Sequence, residues 1–275
     1  MHFFYKEKKR VIEISRIFAS RKRIIILKQK TYQMKKVLAF AIVSFMTMGA
    51  MAQTNLQLFY DFGKDRKQIT ATFEMFKQDK WGSTFFFIDQ DFKTRTKDGA
   101  NDAPCGSYFE VARALNFWQD SKLAPLSLHV EYNGGFYGYP IHNAWLFGVD
   151  YFMHSADFKN TLTLELLNKN IAHGKSDIPM QLTAVWGMND IFGVQGLTFS
   201  GFADFWWEDH FGYKDDGTPV AKSTTFISEP QLWYNIGRHF GCDNLNVGGE
   251  IEISNDFGAY DGFKCNPCLG VKWNF

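Results

Sequence analysis

The last seven residues of the chain, Leu269–Phe275, constrain its fold more than any other stretch. Apolar residues alternate there with small or polar ones, and this period of two predicts a β-strand with one apolar face. The apolar face includes Trp273 and Phe275. In a soluble sheet, such a strand at an edge would invite aggregation, whereas a barrel closed in lipid has no free edge. The terminal strand therefore favours a transmembrane β-barrel.

The composition agrees with this interpretation. Aromatic residues make up 17% of the chain, yet the mean hydropathy of −0.25 is unremarkable. A transmembrane barrel combines aromatic girdles on its lipid face with polar residues in its lumen, which produces this combination. A helical membrane protein needs runs of about 20 apolar residues, and only one segment, near the start of the chain, approaches that length.

That segment has the features of a secretory signal. The basic Met34-Lys35-Lys36 precedes an apolar stretch, and the small residues of Ala50-Met51-Ala52 provide a cleavage site. We therefore predict a signal peptide at residues 34–52, which leaves residues 53–275 as a single barrel domain. The alternative is that the apolar stretch is retained as a membrane anchor.

Residues 1–33 carry ten Lys and Arg residues, including Arg21-Lys22-Arg23. A nucleic-acid-binding arm is one interpretation. Because an export signal normally lies at the N-terminus, we favour the other, an upstream extension from a misplaced start codon. Residues 1–52 hold twelve of the 30 basic and two of the 29 acidic side chains, so the remainder has 18 basic against 27 acidic. An acidic mature chain argues against nucleic acid as a partner.

Twelve amphipathic segments recur between turn signals in the mature chain, and no helix-period stretch is comparably strong. They predict an all-β fold, a twelve-stranded antiparallel barrel with up-and-down connections, and the even number fits bacterial single-chain barrels. The predicted strands are Leu56–Phe62, Ile69–Phe76, Ser83–Phe92, Tyr108–Phe117, Leu126–Asn133, Ala144–Met153, Thr161–Asn168, Met180–Met188, Leu197–Trp207, Thr225–Ile236, Leu245–Ser254 and Cys268–Phe275.

The links between these strands predict an orientation. If both termini are periplasmic, the odd-numbered links lie outside, and most of them, such as Glu208–Thr224 and Asn255–Pro267, are longer than the inner links Lys77–Gly82 and Ser155–Asn160. The alternation that ends at Trp273 and Phe275 also resembles the assembly signal of bacterial outer-membrane barrels. It implies the barrel-assembly machinery and the lipid bilayer as partners, and the outer membrane as the location.

The four cysteines divide between the two ends of the predicted barrel. Cys105, Cys265 and Cys268 are expected at the outer end of the barrel, and Cys242 is expected in a turn at the inner end. Export permits disulfides, and a bridge from Cys105 to either Cys265 or Cys268 would join two outer loops. The spacing of Cys265 and Cys268 lacks the strand–helix context of a redox motif.

Alternation along the strands also predicts which side chains face the lumen. Carboxylates beside phenylalanine and tryptophan suit an uncharged solute that has hydroxyl groups and a flat ring, such as a sugar or a nucleoside. The alternative is a narrow lumen that the acidic side chains fill as a hydrogen-bonded plug. The predicted solute-binding residues are Phe85, Phe87, Asp89, Asp91, Glu110, Glu131, Phe202, Asp204, Trp206, Glu229 and Trp233.

Several short motifs carry a family resemblance. They are Gln78-Asp79-Lys80-Trp81 followed by Phe85-Phe86-Phe87-Ile88-Asp89, then Ser107-Tyr108-Phe109-Glu110, and the stretch from Asn189-Asp190-Ile191-Phe192-Gly193 to Gly201-Phe202-Ala203-Asp204-Phe205-Trp206. In their order they resemble the nucleoside-specific outer-membrane channel family called Tsx, over essentially the whole mature chain. The resemblance implies a twelve-stranded barrel with a narrow pore and several weak nucleoside sites.

The chain departs from that family's pattern at two positions. Asp204 precedes Phe205-Trp206 instead of lying between the aromatic residues, and Arg113 interrupts the fourth strand's pattern. These departures indicate that the chain belongs to an uncharacterised branch of that superfamily.

An enzyme is the competing class. Ser127, His129 and Glu131 supply catalytic-triad residue types on one strand face, but same-face neighbours on a strand are about 7 Å apart, too far for a triad's direct hydrogen bonds. We therefore expect no enzyme, no cofactor and no metal site. The predicted function is an outer-membrane channel for diffusion of small neutral solutes, with nucleosides fitting best. The alternative is a closed barrel with a structural or surface-binding role.

Overall fold

The structure is a computed structural model that describes residues 52–64, 66–93, 104–137 and 140–275. The upstream extension predicted at residues 1–33 and nearly all of the signal peptide predicted at residues 34–52 lie outside the described residues. No helix in the described part of the chain is long and apolar enough to cross a membrane.

The described residues form thirteen antiparallel β-segments and two short 3-10 helices, and the sheet closes because β13 pairs with β1 as well as with β12. The segments are β1 (Ala52–Asp61), β2 (Gln68–Asp79), β3 (Gly82–Lys93), β4 (Pro104–Leu115), β5 (Leu126–Phe136), β6 (Pro140–His154), β7 (Asn160–Ile171), β8 (Met180–Asn189), β9 (Leu197–Tyr213), β10 (Pro219–Ser228), β11 (Gln231–Tyr234), β12 (Leu245–Asn255) and β13 (Phe263–Asn274). The 3-10 helices are η1 (Ile191–Gly193) and η2 (Gly237–Phe240).

The thirteen segments make a barrel of twelve strands, because β10 and β11 are two halves of one strand. Both halves pair with β9 on one side and β12 on the other. The break lies at Glu229 and Pro230, where proline has no N–H to give to the ladder. The Glu229 N–H still donates to the Phe202 carbonyl, and the Ile251 N–H donates to the Pro230 carbonyl. The predicted twelve-stranded, up-and-down barrel is confirmed.

Every predicted strand overlaps an observed one, but two predictions about the links are wrong. The inner links 116–125 and 235–244 are longer than the outer links 172–179 and 256–262, so no simple length asymmetry distinguishes the two ends. The expected outer link Glu208–Thr224 shrinks to residues 214–218, because β9 and β10 continue their pairing to Tyr213 and Pro219. The outer end is thus extended by paired strands instead of by irregular loops.

The terminal strand closes the barrel, as its alternation predicts. Leu56–Asp61 of β1 pair with the stretch from Cys268 to Trp273, and the Phe275 N–H donates to the Thr54 carbonyl over 2.9 Å. The side chains of Trp273 and Phe275 lie on the outer face, where 40% and 53% of their surface is exposed. The role of these two residues as an assembly signal stays a prediction.

The two faces of the sheet differ sharply in chemistry. Cross-strand partners share a face, so Gln57, which is almost fully buried, places its partners Thr72 and Lys272 on the inner face. The outer face is apolar over the middle of the barrel; its exposed side chains there include Leu58, Ile88, Val111, Leu128, Phe147, Val149, Leu164, Leu166, Leu182, Leu232, Ile251 and Val271. Polar residues inside and apolar residues outside are the reverse of a soluble β-sandwich.

The cysteine predictions need correction. Cys265 lies within β13 rather than in a loop, because that strand begins at Phe263. Its cross-strand partner is Ile253 on the outer face, whereas Cys268 pairs with Glu250 on the inner face and is buried. Both residues carry free thiols, so the predicted bridge from Cys105 to either of them is not formed.

Candidate functional site

The structure places all eleven predicted solute-binding residues on the inner face of the barrel. Phe87 and Glu110 are cross-strand partners, whereas most of the others pair with inward-facing residues outside the predicted set, as Asp204 does with Thr183. Glu229 lies at the break between β10 and β11, within electrostatic range of Glu250 and Glu252. The eleven residues do not form one site; they line the lumen in several groups at different heights.

The central group surrounds the ammonium of Lys169, and we call it the central cluster: Glu110, Glu131, Lys169, Asp204 and Trp206. The Lys169 Nζ lies 3.7 Å from the centroid of the Trp206 ring and donates to the Gln181 side-chain oxygen over 2.7 Å. The carboxylates of Asp204, Glu131 and Glu110 lie within electrostatic range of this ammonium. The cluster therefore places one cation among three carboxylates against an aromatic face.

Lys169 is absent from the predicted site because the seventh strand was expected to end at Asn168. In the structure, β7 continues to Ile171, and Lys169 follows Glu165 and Leu167 on the inner face. If the alternation had been followed for one more residue, it would have placed Lys169 on the inner face.

An aromatic row follows strands β3 and β4 beside the central cluster. The ring centroids of Phe85 and Phe87 are 6.0 Å apart, and those of Phe87 and Tyr108 are also 6.0 Å apart. The Tyr108 hydroxyl donates to the Glu110 carboxylate over 2.7 Å, and Asp89 accepts a hydrogen bond from the Thr72 hydroxyl. Apolar rings and hydrogen-bond acceptors thus lie next to one another along this wall.

Trp233 organises the opposite wall. Its indole N–H donates to Gln231 over 2.8 Å, and the Gln231 amide donates to Glu250 over 2.6 Å. The Lys272 ammonium lies 4.4 Å from the centroid of the Trp233 ring, whose other neighbour is Phe59 at 5.5 Å. With 1% of its surface exposed, Trp233 supports this wall more than it faces the open lumen.

Two residues from the links fold into the outer end of the barrel. The Arg66 guanidinium contacts Glu252 over 2.7 Å and Asp61 over 3.4 Å. Although burial opposes its charge, these carboxylates raise the pKa of Arg66 above its ordinary value. Burial raises the pKa of the Tyr137 phenol, and the neighbouring carboxylate of Asp91 adds to that effect. Both side chains therefore interact with inward-facing carboxylates at this end of the barrel.

A further group of carboxylates surrounds His129. Its Nδ1 lies 2.9 Å from Asp150 and 3.9 Å from Glu165, and its Nε2 lies 3.3 Å from Glu131. The expectation that same-strand neighbours cannot meet is therefore wrong for His129 and Glu131, because the long glutamate side chain covers the distance. The Ser127 hydroxyl makes no side-chain hydrogen bond within the described part of the chain, so no Ser–His–Glu relay is formed.

Acidic side chains outnumber basic ones along the described lumen. The acidic residues are Asp61, Glu74, Asp89, Asp91, Glu110, Glu131, Asp150, Glu165, Asp204, Glu208, Glu229, Glu250 and Glu252, and the basic ones are Arg66, His129, Lys169, Lys222, Lys264 and Lys272. Such a lining attracts cations, tolerates neutral solutes and repels anions.

Comparison with known proteins identifies both a family and a fold. The family model described as "Domain of unknown function (DUF5020)" matches residues 52–275. No curated protein matches the sequence.

Among solved structures, the NanC porin is similar with a TM-score of 0.51 and 9% sequence identity, over 81% of this chain and 100% of that chain. The KdgM porin has a TM-score of 0.44 and 9% identity, over 81% and 99%. The likeness to the NanC porin shows a shared barrel fold.

Proposed function

The chain belongs to the DUF5020 family, and from that premise we propose that it forms a channel in the bacterial outer membrane for the diffusion of small solutes. Neutral solutes with a flat ring, nucleosides above all, fit its lumen best. Export through a signal peptide at residues 34–52 and insertion by the barrel-assembly machinery are parts of the same proposal. The channel needs no cofactor for diffusion.

The observation that carries the proposal is the inside-out distribution of polarity around a closed sheet. Apolar side chains such as Leu166 and Leu182 are nearly half exposed on the outer face, which fits lipid and would be unfavourable in water. The inner face carries charges that would cost several kcal/mol in lipid but stay solvated in a water-filled lumen. Only a membrane barrel with a wet interior satisfies both faces.

The character of the lumen supports the class of solute. Excess carboxylates disfavour anions, so neutral solutes and cations remain. The rings of Phe85 and Phe87 offer flat apolar faces beside acceptors such as Asp89 and Glu110, and the ring of Trp206 offers one that the Lys169 ammonium covers. Stacking on aromatic rings is tolerant of base identity, and carboxylates accept hydrogen bonds from ribose hydroxyls. Nucleosides combine both features.

A permeation assay tests this proposal. The barrel, refolded into liposomes, is expected to admit adenosine faster than glucose, and both much faster than a size-matched anion such as glucuronate. Folding is checked first by the shift in gel mobility between heated and unheated samples. If the folded barrel passes none of these solutes, the channel proposal is overturned. If it passes the anion as fast as adenosine, the selectivity is overturned.

A closed barrel is the second candidate, and one set of contacts favours it. Lys169, Arg66 and Lys272 each end on a carboxylate or an aromatic ring of another strand, and such contacts between interior side chains are what a hydrogen-bonded plug requires. Single-channel recording separates the two candidates, because a plugged barrel gives no steps of conductance in a planar bilayer and an open one does.

A further inference from the structure

The group around His129 has the composition and arrangement of a metal-ion site. His129, Asp150 and Glu165 lie on three neighbouring strands, β5, β6 and β7, and their potential ligand atoms all lie within 4.8 Å of one another. The side chains of His129 and Asp150 are 5% and 8% exposed, and that of Glu165 is 12% exposed. One imidazole nitrogen and two carboxylates therefore converge on one small, largely enclosed space.

Glu165 supplies a second, independent observation. Its side chain is 12% exposed and makes no hydrogen bond within the described residues, and its nearest charged partner is His129 Nδ1 at 3.9 Å. Buried carboxylates are normally satisfied by hydrogen bonds or by a cation. Glu165 thus adds a carboxylate on the Nδ1 side of the imidazole ring, whereas Glu131 lies on the Nε2 side.

The balance of charges around His129 also favours a bound cation. Asp150, Glu131 and Glu165 have no ion-pair partner among the described residues other than His129. The Lys169 ammonium also lies within electrostatic range of Glu131, but it is shared with Glu110 and Asp204, so the carboxylates of this region still outnumber its cations, and low-dielectric surroundings make the remaining charge costly. A divalent cation would remove that excess in one step.

Glu131 completes the arrangement from the other side of the ring. It accepts from His129 Nε2 at 3.3 Å, which leaves Nδ1 to face Asp150 and Glu165. Metal-bound histidines characteristically donate their second N–H to a carboxylate, which fixes the ring's tautomer and orientation. The Asn133 amide in turn donates to Glu131 over 3.0 Å. Glu131 is therefore placed to orient the ligand rather than to bind the ion.

We propose that His129 Nδ1, Asp150 and Glu165 bind a divalent transition-metal ion of the Zn²⁺ type inside the barrel, with Glu131 as the positioning residue. Tetrahedral metal–ligand bonds of about 2.0–2.2 Å place ligand atoms roughly 3.3–3.6 Å apart, so Nδ1 and the Asp150 carboxylate, which are joined by a hydrogen bond of 2.9 Å, would separate slightly around the ion. The Glu165 carboxylate, 3.9 Å from Nδ1, needs to approach that atom by about 0.5 Å. Three protein ligands leave open coordination positions toward the lumen, which water would fill.

Metal binding to the full chain, refolded in detergent and stripped with a chelator, tests the site without any permeation assay. We expect one Zn²⁺ per barrel by calorimetry, and visible absorption from Co²⁺ typical of nitrogen and oxygen ligands. Excess Mg²⁺ or Ca²⁺ should not displace the ion, because an imidazole ligand favours transition metals. Displacement by Ca²⁺ would overturn the assignment of the ion.

Four variants locate the ion. His129→Gln and Glu165→Gln should each weaken Zn²⁺ binding about 100-fold or more, and Glu131→Gln should weaken it roughly 10- to 100-fold. The double variant His142→Gln, His173→Gln, which changes an exposed histidine pair at the outer end whose rings are 5.6 Å apart, should bind as the wild type does. The near-isosteric Glu165→Gln keeps the test valid if His129→Gln does not fold. Binding that survives both His129→Gln and Glu165→Gln, or no binding by the folded wild type, refutes the site.

Discussion

The contact between Lys169 and Trp206 shows how one residue pair sets the character of the lumen. The ammonium lies 3.7 Å from the ring centroid, an arrangement worth about 0.5–2 kcal/mol depending on desolvation. Lys169 also neutralises part of the charge on Asp204 and its neighbours. In the proposed channel, a solute that stacked on Trp206 would have to displace this ammonium, so Lys169 would compete with the solute for the ring.

Replacement of Trp206 tests that interpretation. Trp206→Ala removes the aromatic face, and base stacking on a protein ring contributes about 1–3 kcal/mol. We expect adenosine to block single-channel conductance with an affinity weakened about tenfold or more, while the conductance without adenosine rises because the lumen loses a large side chain. Titration of the conductance with adenosine measures both effects.

Trp207 provides a matched control for this experiment. It is the next residue on β9, but it lies on the outer face, where its ring packs edge-on against Phe205 at 4.8 Å. Trp207→Ala should leave the adenosine affinity unchanged within twofold. An equal loss in both variants would mean that Trp206 acts through the strand and not through the solute.

At the scale of the element, strand β7 illustrates the division between the two faces. Leu164 and Leu166 are exposed on the outer face, while Glu165, Leu167 and Lys169 face inward. The outward neighbours of Leu166 are Val149 and Leu182, which are also exposed. This part of the wall lies midway along the strand, at the depth where lipid contact is expected.

A charge on that outer surface should therefore destabilise the barrel according to its depth. Leu166→Arg is expected to lower the free energy of unfolding in lipid vesicles by about 2–4 kcal/mol, because it places arginine near the bilayer midplane. Phe211→Arg, on the extension of β9 near the outer end, should cost about 0–1 kcal/mol. Denaturant titration in vesicles measures both values. Equal costs at the two positions would show that the outer face does not contact lipid as proposed.

The strands were predictable from the sequence because alternation is a local property. The seventh and twelfth segments keep their period of two whatever their neighbours are, and Trp273 and Phe275 extend it to the final residues. The links were not predictable to the same extent. Residues 208–213 continue the alternation beyond the expected strand end, and the turn at residues 214–218 supplies the reversal later than expected.

The sequence predicted which side chains face the lumen, but it did not predict which of them contact one another. Alternation assigned Glu131 and Asp204 to the interior correctly, yet it could not show that Lys169 would lie on Trp206. Such contacts depend on the stagger between strands and on the reach of long side chains, and neither is encoded in one segment's period. The group around His129 was missed for the same reason, since it draws on three strands.

At the scale of the whole molecule, the barrel has two distinct ends. The first strand begins and the last strand ends at the same end, which is the end predicted to be periplasmic and is called the inner end. The links 116–125 and 155–159 also lie there. The links 62–67 and 214–218 lie at the outer end, where Arg66 folds into the mouth. Because link length does not distinguish the ends, the proposed orientation rests on the termini being periplasmic.

Chemical labelling of intact cells tests this orientation directly. In a variant whose four cysteines are replaced by serine, Asp215→Cys lies in the outer link 214–218, and Lys122→Cys lies in the inner link 116–125; both residues are exposed. A membrane-impermeant maleimide should label Asp215→Cys on whole cells, because that thiol would face the medium. Lys122→Cys should react only after the outer membrane is permeabilised. The reverse pattern would invert the barrel in the membrane, and equal labelling of both on intact cells would remove the chain from the outer membrane, since no bilayer would then separate its two ends.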